Sequence, residues 1–121
     1  MASVGDRLDA AVKEFRGKQK EVEQLIAARS QFLTQKNENE MVKKELCIVE
    51  PDAVVYKLVG PVLVKQGTED SIKTVEQRIG LITRELQRTE TNLEAAEKAL
   101  EKSKATVMQL QAQMEAQQKK R

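Results

Sequence analysis

The side chains that could perform chemistry in this sequence are one cysteine, Cys47, and many carboxylates, amines and guanidinium groups, and histidine is absent. Histidine is the commonest general base and the commonest metal ligand, so the chain lacks the side chain that most often fills either role. The acidic residues lie in Glu/Lys-rich runs, which are usually the solvated faces of helices rather than catalytic pairs. We therefore predict that the chain is not an enzyme and that it has no metal site.

Other features of the sequence argue against several further classes of protein. No glycine-rich phosphate loop precedes a helical pattern, so we expect no nucleotide cofactor. A single cysteine forms no intrachain disulfide, and its place in the run LCIV predicts a buried small hydrophobe rather than a nucleophile. The first residues do not resemble a signal peptide, and no apolar run is long enough to span a membrane. We expect a soluble cytoplasmic protein.

The composition indicates what kind of scaffold carries these residues. Charged residues make up 33% of the chain and aromatic residues 2%, a balance that favours long helices or coiled coils over a globular core. The formal net charge of +2 is too small to indicate a nucleic-acid partner by itself. A nucleic-acid binder would need a denser stripe of Lys and Arg, so we expect no such partner.

The C-terminal half repeats apolar residues every seven positions. The first heptad row consists of Ile72, Ile79, Leu86, Leu93, Leu100, Val107 and Met114. The second row, three residues further on, consists of Val75, Ile82, Thr89, Ala96, Ser103, Leu110 and Gln117. This pattern predicts a coiled-coil helix over about residues 69–118, with Thr68 as its N-cap.

The N-terminal half carries the same period less regularly. Its two seam rows are Leu8, Phe15, Val22, Arg29, Lys36 and Lys43, and Val12, Gln19, Ile26, Leu33 and Glu40. A third row, Val4, Ala11, Lys18, Leu25 and Phe32, widens the apolar stripe on one side. We predict a helix over about residues 5–46 that folds back antiparallel on the C-terminal helix, with Leu8 opposite Met114 and polar Gln19 opposite polar Ser103.

The middle of the chain contains strand-like residues and most of the turn residues. Two β-branched, apolar runs at 54–59 and 62–65 are separated by Gly60-Pro61, and Pro51 precedes them. This pattern predicts a β-hairpin over about residues 53–66, within one domain that spans residues 1–121. A lone hairpin that is apolar on both faces would aggregate, so we predict obligate assembly with other subunits. The predicted assembly residues are Val54, Val55, Tyr56, Leu58, Val59, Val62, Leu63 and Val64.

The open end of the helical hairpin is a second candidate site. Coiled-coil ends fray and expose seam residues, and methionine adapts to varied partners. Several weakly binding copies on one frame would bind unfolded chains by avidity. For any single residue at this end, burial in the seam is a commoner outcome than client binding. The predicted client-binding residues are Val4, Leu8, Val12, Phe15, Val107, Met108, Leu110 and Met114.

Two stretches carry a family resemblance. The sequence NENEMVKKEL at 37–46, followed by the more specific VYKLVGPVLVK at 55–65, resembles the β-type prefoldins, and within them the eukaryotic subunit 6 group. The likeness covers essentially the whole chain. It implies a mainly α fold, a long antiparallel coiled-coil hairpin with one central β-hairpin, whose strands join an intersubunit β-barrel.

The same resemblance implies partners and a function. The family forms a heterohexamer of two α-type and four β-type subunits, so this chain would join two α-type and three further β-type subunits. The hexamer captures unfolded actin and tubulin without ATP and delivers them to the cytosolic group II chaperonin. From the residue patterns above, we expect no cofactor, no nucleic-acid partner and no membrane partner.

A structural coiled-coil tether or scaffold subunit is the alternative function. A tether would need the heptad repeats but would have no use for two apolar strands between them. The central block therefore favours the chaperone subunit.

Overall fold

The structure is a computed structural model that describes residues 2–50 and 52–120. Along the chain it contains α1 (Val4–Ile48), β1 (Val55–Val59), β2 (Val62–Gln66) and α2 (Thr68–Lys119). The predicted order of helix, hairpin and helix is observed, and each helix extends slightly beyond its predicted bounds. Pro51, one of the predicted turn residues, lies outside the described residues.

The chain divides into two compact units. The first unit contains the residues up to Ala28 together with those from Thr89 onward. The second unit is Arg29–Arg88, which includes the end of α1, the β-hairpin and the start of α2.

In the first unit the two helical segments pack side by side in opposite directions. The Arg7 guanidinium Nη2 donates a hydrogen bond to Gln113 Oε1 at 3.2 Å, which joins neighbours of the predicted Leu8–Met114 pair. Further along α1, Lys18 lines a cleft together with Ser103 of α2. The buried apolar residues of this unit are Ala11, Val22, Ala96 and Leu110.

The seam of α2 follows the predicted heptad rows. All seven residues of the first row, from Ile72 to Met114, are buried or half-buried. The second row is likewise buried or half-buried from Val75 to Leu110, and Gln117 at its end is exposed. The predicted face of α2 is therefore confirmed up to Met114.

The seam of α1 differs from the prediction in one of its rows. The row that begins at Val4 and runs through Ala11 and Phe32 is buried or half-buried, whereas Ile26 and Leu33 are 50% and 36% exposed. The assignment of Val12, Gln19, Ile26, Leu33 and Glu40 to the seam was wrong, because only Val12 is half-buried. Two apolar rows flank Leu8, Phe15 and Val22 on opposite sides, and a single partner helix covers only one of them.

Because a different row of α1 is buried, the predicted pair of polar seam residues, Gln19 and Ser103, also differs. Gln19 is exposed, so its predicted pairing with Ser103 was wrong. Lys18 is half-buried instead, with an ion pair of 3.9 Å between its Nζ and Glu14 Oε1. A lysine can cover apolar surface with its methylene groups while its ammonium group stays in water.

In the second unit a cross-helix ion pair between Lys43 and Glu76 joins α1 and α2. Lys43 Nζ lies 3.5 Å from Glu76 Oε1, with the two side chains 42% and 50% exposed. A pair this exposed contributes at most about 1 kcal/mol. The buried residues of this unit, Ser71, Val75 and Leu86, all belong to α2. Cys47 is exposed, so its predicted burial was wrong, and the inward-facing residue of that turn is Leu46.

Both helices begin at well-defined caps. At α1, the amide of Asp6 donates to Ser3 Oγ at 3.1 Å and the amide of Ser3 donates to Asp6 Oδ2 at 3.4 Å, a reciprocal capping box. At α2, the amide of Ser71 donates to the carbonyl oxygen of Gly67 at 2.9 Å. Gly67 is therefore the N-cap and Thr68 the first helical residue, so α2 begins one position earlier than predicted.

A two-residue turn closes the hairpin. The strands pair antiparallel from Val55 opposite Gln66 to Val59 opposite Val62. Gly60 has a φ of 57°, and proline at the next position requires a negative φ. This combination is typical of a type II′ turn, whose twist matches the twist of the flanking strands.

The burial of α2 gives a matched pair of stability predictions. Leu86 is 7% exposed and Leu81 is 57% exposed on the same helix. Leu86→Ala is expected to lower the free energy of unfolding by about 2–4 kcal/mol, because it removes buried methyl groups and leaves a cavity. Leu81→Ala is expected to change it by less than about 0.5 kcal/mol. Urea unfolding followed by circular dichroism measures both, and equal losses would contradict the seam described for α2.

Candidate subunit-assembly surface

The two strands of the hairpin place different side chains on its two faces. Opposite residues of an antiparallel pair lie on the same face, and successive residues alternate. Tyr56 and Leu58 of β1 therefore share one face with Leu63 and Lys65 of β2. The other face carries Val55, Lys57, Val59, Val62, Val64 and Gln66.

Most of the predicted assembly residues are exposed. Leu58 and Leu63 are each 65% exposed, and Val54, Tyr56, Val59, Val62 and Val64 are exposed as well. Val55 is half-buried, and it lines a cleft together with Leu46 of α1 and Val75 of α2. Val54 lies one residue before β1. Soluble proteins seldom leave so many adjacent apolar side chains in water unless they bind a partner there.

The outer edges of the hairpin have no strand beside them within the described residues. The sheet consists of β1 and β2 alone. Each outer edge therefore presents backbone N–H and C=O groups that another strand can pair with. Two apolar faces and two open edges suit incorporation into a larger sheet.

The predicted client-binding residues lie in the first unit, and most of them belong to its seam. Leu110 is buried, and Val4, Leu8, Val12, Phe15, Val107 and Met114 are half-buried. Met108 is the exposed member of the set, with 59% of its surface accessible. A partner that binds this segment without unfolding it would therefore touch Met108 first.

Neither a metal site nor a membrane span is found in the part of the chain that the structure describes. Across residues 2–50 and 52–120, no three His, Cys, Asp or Glu side chains come together as metal ligands could. None of the described helices combines the length and the apolar character that crossing a membrane requires.

Comparison with known proteins agrees with the fold. A family model described as "Prefoldin subunit" matches residues 9–114. The chain belongs to the prefoldin family. Prefoldin subunit 6 of Mus musculus is 35% identical over 109 residues, which cover 90% of this chain and 86% of the mouse protein. Prefoldin subunit 6 of Arabidopsis thaliana is 39% identical over 97 residues, which cover 80% of this chain and 75% of the plant protein.

A solved prefoldin structure shares the fold. The prefoldin beta subunit of Thermococcus strain KS-1 superimposes with a TM-score of 0.78 at 18% sequence identity, over 90% of this chain and 96% of that chain. The predicted prefoldin fold, two long helices with a central β-hairpin, is therefore confirmed. The family also confirms that the chain is a prefoldin subunit rather than an enzyme.

Gln66 is one residue of this region that sequence reasoning missed. It ends β2 and its side chain is half-buried against α2. A single glutamine after an apolar strand gives no sequence signal by itself. What its amide group can hydrogen-bond to depends on which turn of a helix lies beside it in the fold. The only sequence signal is the closeness of Ser71 and Thr74, three residues apart on one helical face.

Proposed function

We propose that this chain is a β-type subunit of a prefoldin heterohexamer, with two α-type and three further β-type subunits as its partners. Membership of the family makes other prefoldin subunits its partners. The observation that carries the proposal is the exposed hairpin, with Tyr56, Leu58 and Leu63 in solvent on one face. In the hexamer the strands of neighbouring subunits pair along the open edges and form a β-barrel that covers these side chains.

The burial of the hairpin supplies the driving force for assembly. Removing a large apolar side chain from water stabilises a complex by about 1.5–3 kcal/mol. The predicted assembly surface contains seven exposed residues of this kind, so the gain is large enough to offset the entropy of association. A coiled-coil tether would leave the same residues in water, and nothing in the described residues favours that alternative.

The second part of the proposal concerns clients. The hexamer captures unfolded or nascent polypeptides in the cytoplasm, among them actin and tubulin, without ATP, and delivers them to the group II chaperonin. Support comes from Met108, an exposed apolar side chain that can adapt its shape to varied partners, next to half-buried Val107 in the sequence. Each such contact is weak, and several subunits on one frame multiply the binding by avidity.

Co-purification of a tagged chain, followed by an aggregation assay, tests this function. The tagged chain is expected to bring down α-type and β-type prefoldin subunits, with a hexamer mass in native mass spectrometry. The purified complex is expected to suppress light scattering by denatured actin equally with and without ATP. A chain that brings down no prefoldin subunit, or suppression that requires ATP, would refute the proposal.

A further inference from the structure

The side chain of Gln66 ties the end of the hairpin to the first turns of α2. Its Oε1 accepts a hydrogen bond from Ser71 Oγ at 3.1 Å, and its Nε2 donates to Thr74 Oγ1 at 3.4 Å. One planar amide therefore bridges two residues that lie three positions apart on the same face of α2. We call these three side chains the Gln66 clamp.

The helical half of the clamp is fixed by its own helix. Ser71 is 5% exposed, and its hydroxyl also lies 2.9 Å from the carbonyl oxygen of Gly67. Thr74 Oγ1 donates to the carbonyl oxygen of Asp70 at 2.9 Å, which leaves its lone pairs free to accept from Gln66. The Thr74 hydroxyl therefore offers Gln66 an acceptor, whereas the single hydroxyl hydrogen of Ser71 is shared between Gln66 Oε1 and the carbonyl oxygen of Gly67.

The rest of the junction consists of a one-residue glycine linker and an open cleft. Gly67 alone separates β2 from α2, and glycine permits more backbone conformations than any other residue. A cleft of about 300 Å³ lies beneath the hairpin, with Val42, Leu46, Val55 and Val75 among its lining residues. Because these apolar side chains do not fill the space between them, close packing alone does not hold the hairpin in place at this cleft.

We propose that Gln66 is a positioning residue that sets the angle of the β-hairpin on α2 and so presents its apolar face in the orientation that sister subunits bind. The inference rests on the proposed function, in which the hairpin is the assembly element. Gln66 pairs with Val55, so holding Gln66 also holds the start of β1. A hairpin fixed before association loses less conformational freedom when it binds.

Gln66→Met removes both hydrogen bonds while keeping the length of the side chain. The native Cys47 is exposed and serves as one spin-label site, and Val62→Cys at the turn supplies the second. We expect a broader distribution of label-to-label distances in the full-length Gln66→Met chain. Without labels, we expect about tenfold weaker association with the other prefoldin subunits, the size of effect typical of one or two lost hydrogen bonds.

Three further variants control this experiment. Gln77→Met makes the same substitution at an exposed position of α2 and is expected to change neither quantity. Gln66→Glu keeps an acceptor for Ser71 and is expected to recover part of the association. Ser71→Ala removes the buried hydroxyl without adding bulk, and it is expected to broaden the distances as Gln66→Met does. The helical unfolding transition is expected to stay unchanged for Gln66→Met, which separates positioning from a loss of stability.

The outcomes distinguish this inference from the proposed function. Unchanged distances for both Gln66→Met and Ser71→Ala would overturn the clamp, and so would broader distances with unchanged association. Assembly by a chain that carries both Tyr56→Asp and Leu58→Asp would instead refute the hairpin as the assembly element. Loss of assembly in that chain, together with an unaffected Gln66→Met, would leave the proposed function standing and refute the clamp alone.

Discussion

Replacement of Tyr56 and Leu58 by aspartate is expected to exclude the chain from the prefoldin complex while both helices stay folded. The two side chains lie on the same face of the hairpin and are 58% and 65% exposed in the chain alone. Aspartate is well solvated there, so the unassembled chain tolerates it. In a complex that covers this face, each carboxylate would be buried without a partner, at a cost of about 3 kcal/mol or more.

The expected loss is therefore about 6 kcal/mol, or about a 10⁴-fold lower association constant. Native mass spectrometry measures the fraction of chain in the proposed hexamer, and circular dichroism measures the helix content. Met41→Asp is the matched control, because Met41 is 63% exposed and lies on α1 outside the hairpin. It is expected to assemble normally. An intact hexamer that contains the double aspartate variant would refute the role assigned to the hairpin.

Removal of residues 1–12 and 110–121 is expected to leave assembly intact and to weaken protection of a denatured client. All of the deleted residues belong to the first unit, whereas the hairpin belongs to the second. The deletion takes away Val4, Leu8 and Met114, together with the capping box at Ser3. Native mass spectrometry reports on assembly, and light scattering of denatured actin reports on protection.

The deletion also removes the buried residue Leu110, so a point variant separates client contact from loss of packing. Met108→Glu places a charge on the exposed member of the set and should not disturb the seam. About threefold more complex is expected to be needed for half-maximal protection, because multivalent binding multiplies weak contacts. Met41→Glu, on α1 in the second unit, is expected to protect normally. Equal protection by trimmed, Met108→Glu and unaltered complexes would refute client binding by the terminal segments.

The seam of α2 could be predicted from sequence because only one face of this helix is apolar along its length. The row from Ile72 to Met114 is apolar throughout, and no competing row flanks it. The seam of α1 could not be settled in this way. Rows through Ala11 and through Ile26 are about equally apolar, and the choice between them depends on how α1 is rotated against α2. A helix pattern shows which residues share a face but gives no information about the partner.

The hairpin was predictable because its signals are local. Two β-branched runs around Gly60-Pro61 determine the strands and the turn, and the observed φ of 57° at Gly60 agrees with them. The clamp and the exposure of Cys47 were not predictable, because each depends on the orientation of neighbouring elements. The predicted client-binding residues were chosen because they lie near the two ends of the chain. Position in the sequence alone does not distinguish exposed Met108 from buried Leu110.

Amide hydrogen exchange of the hairpin tests the central claim, that sister subunits cover β1 and β2, most directly. Exchange would be compared between the isolated chain and the chain within the purified prefoldin complex. We expect the outward-facing backbone amides of residues 55–66 to exchange rapidly in the isolated chain and slowly in the complex, because open strand edges become paired. Equal exchange of these amides in both states would contradict this claim.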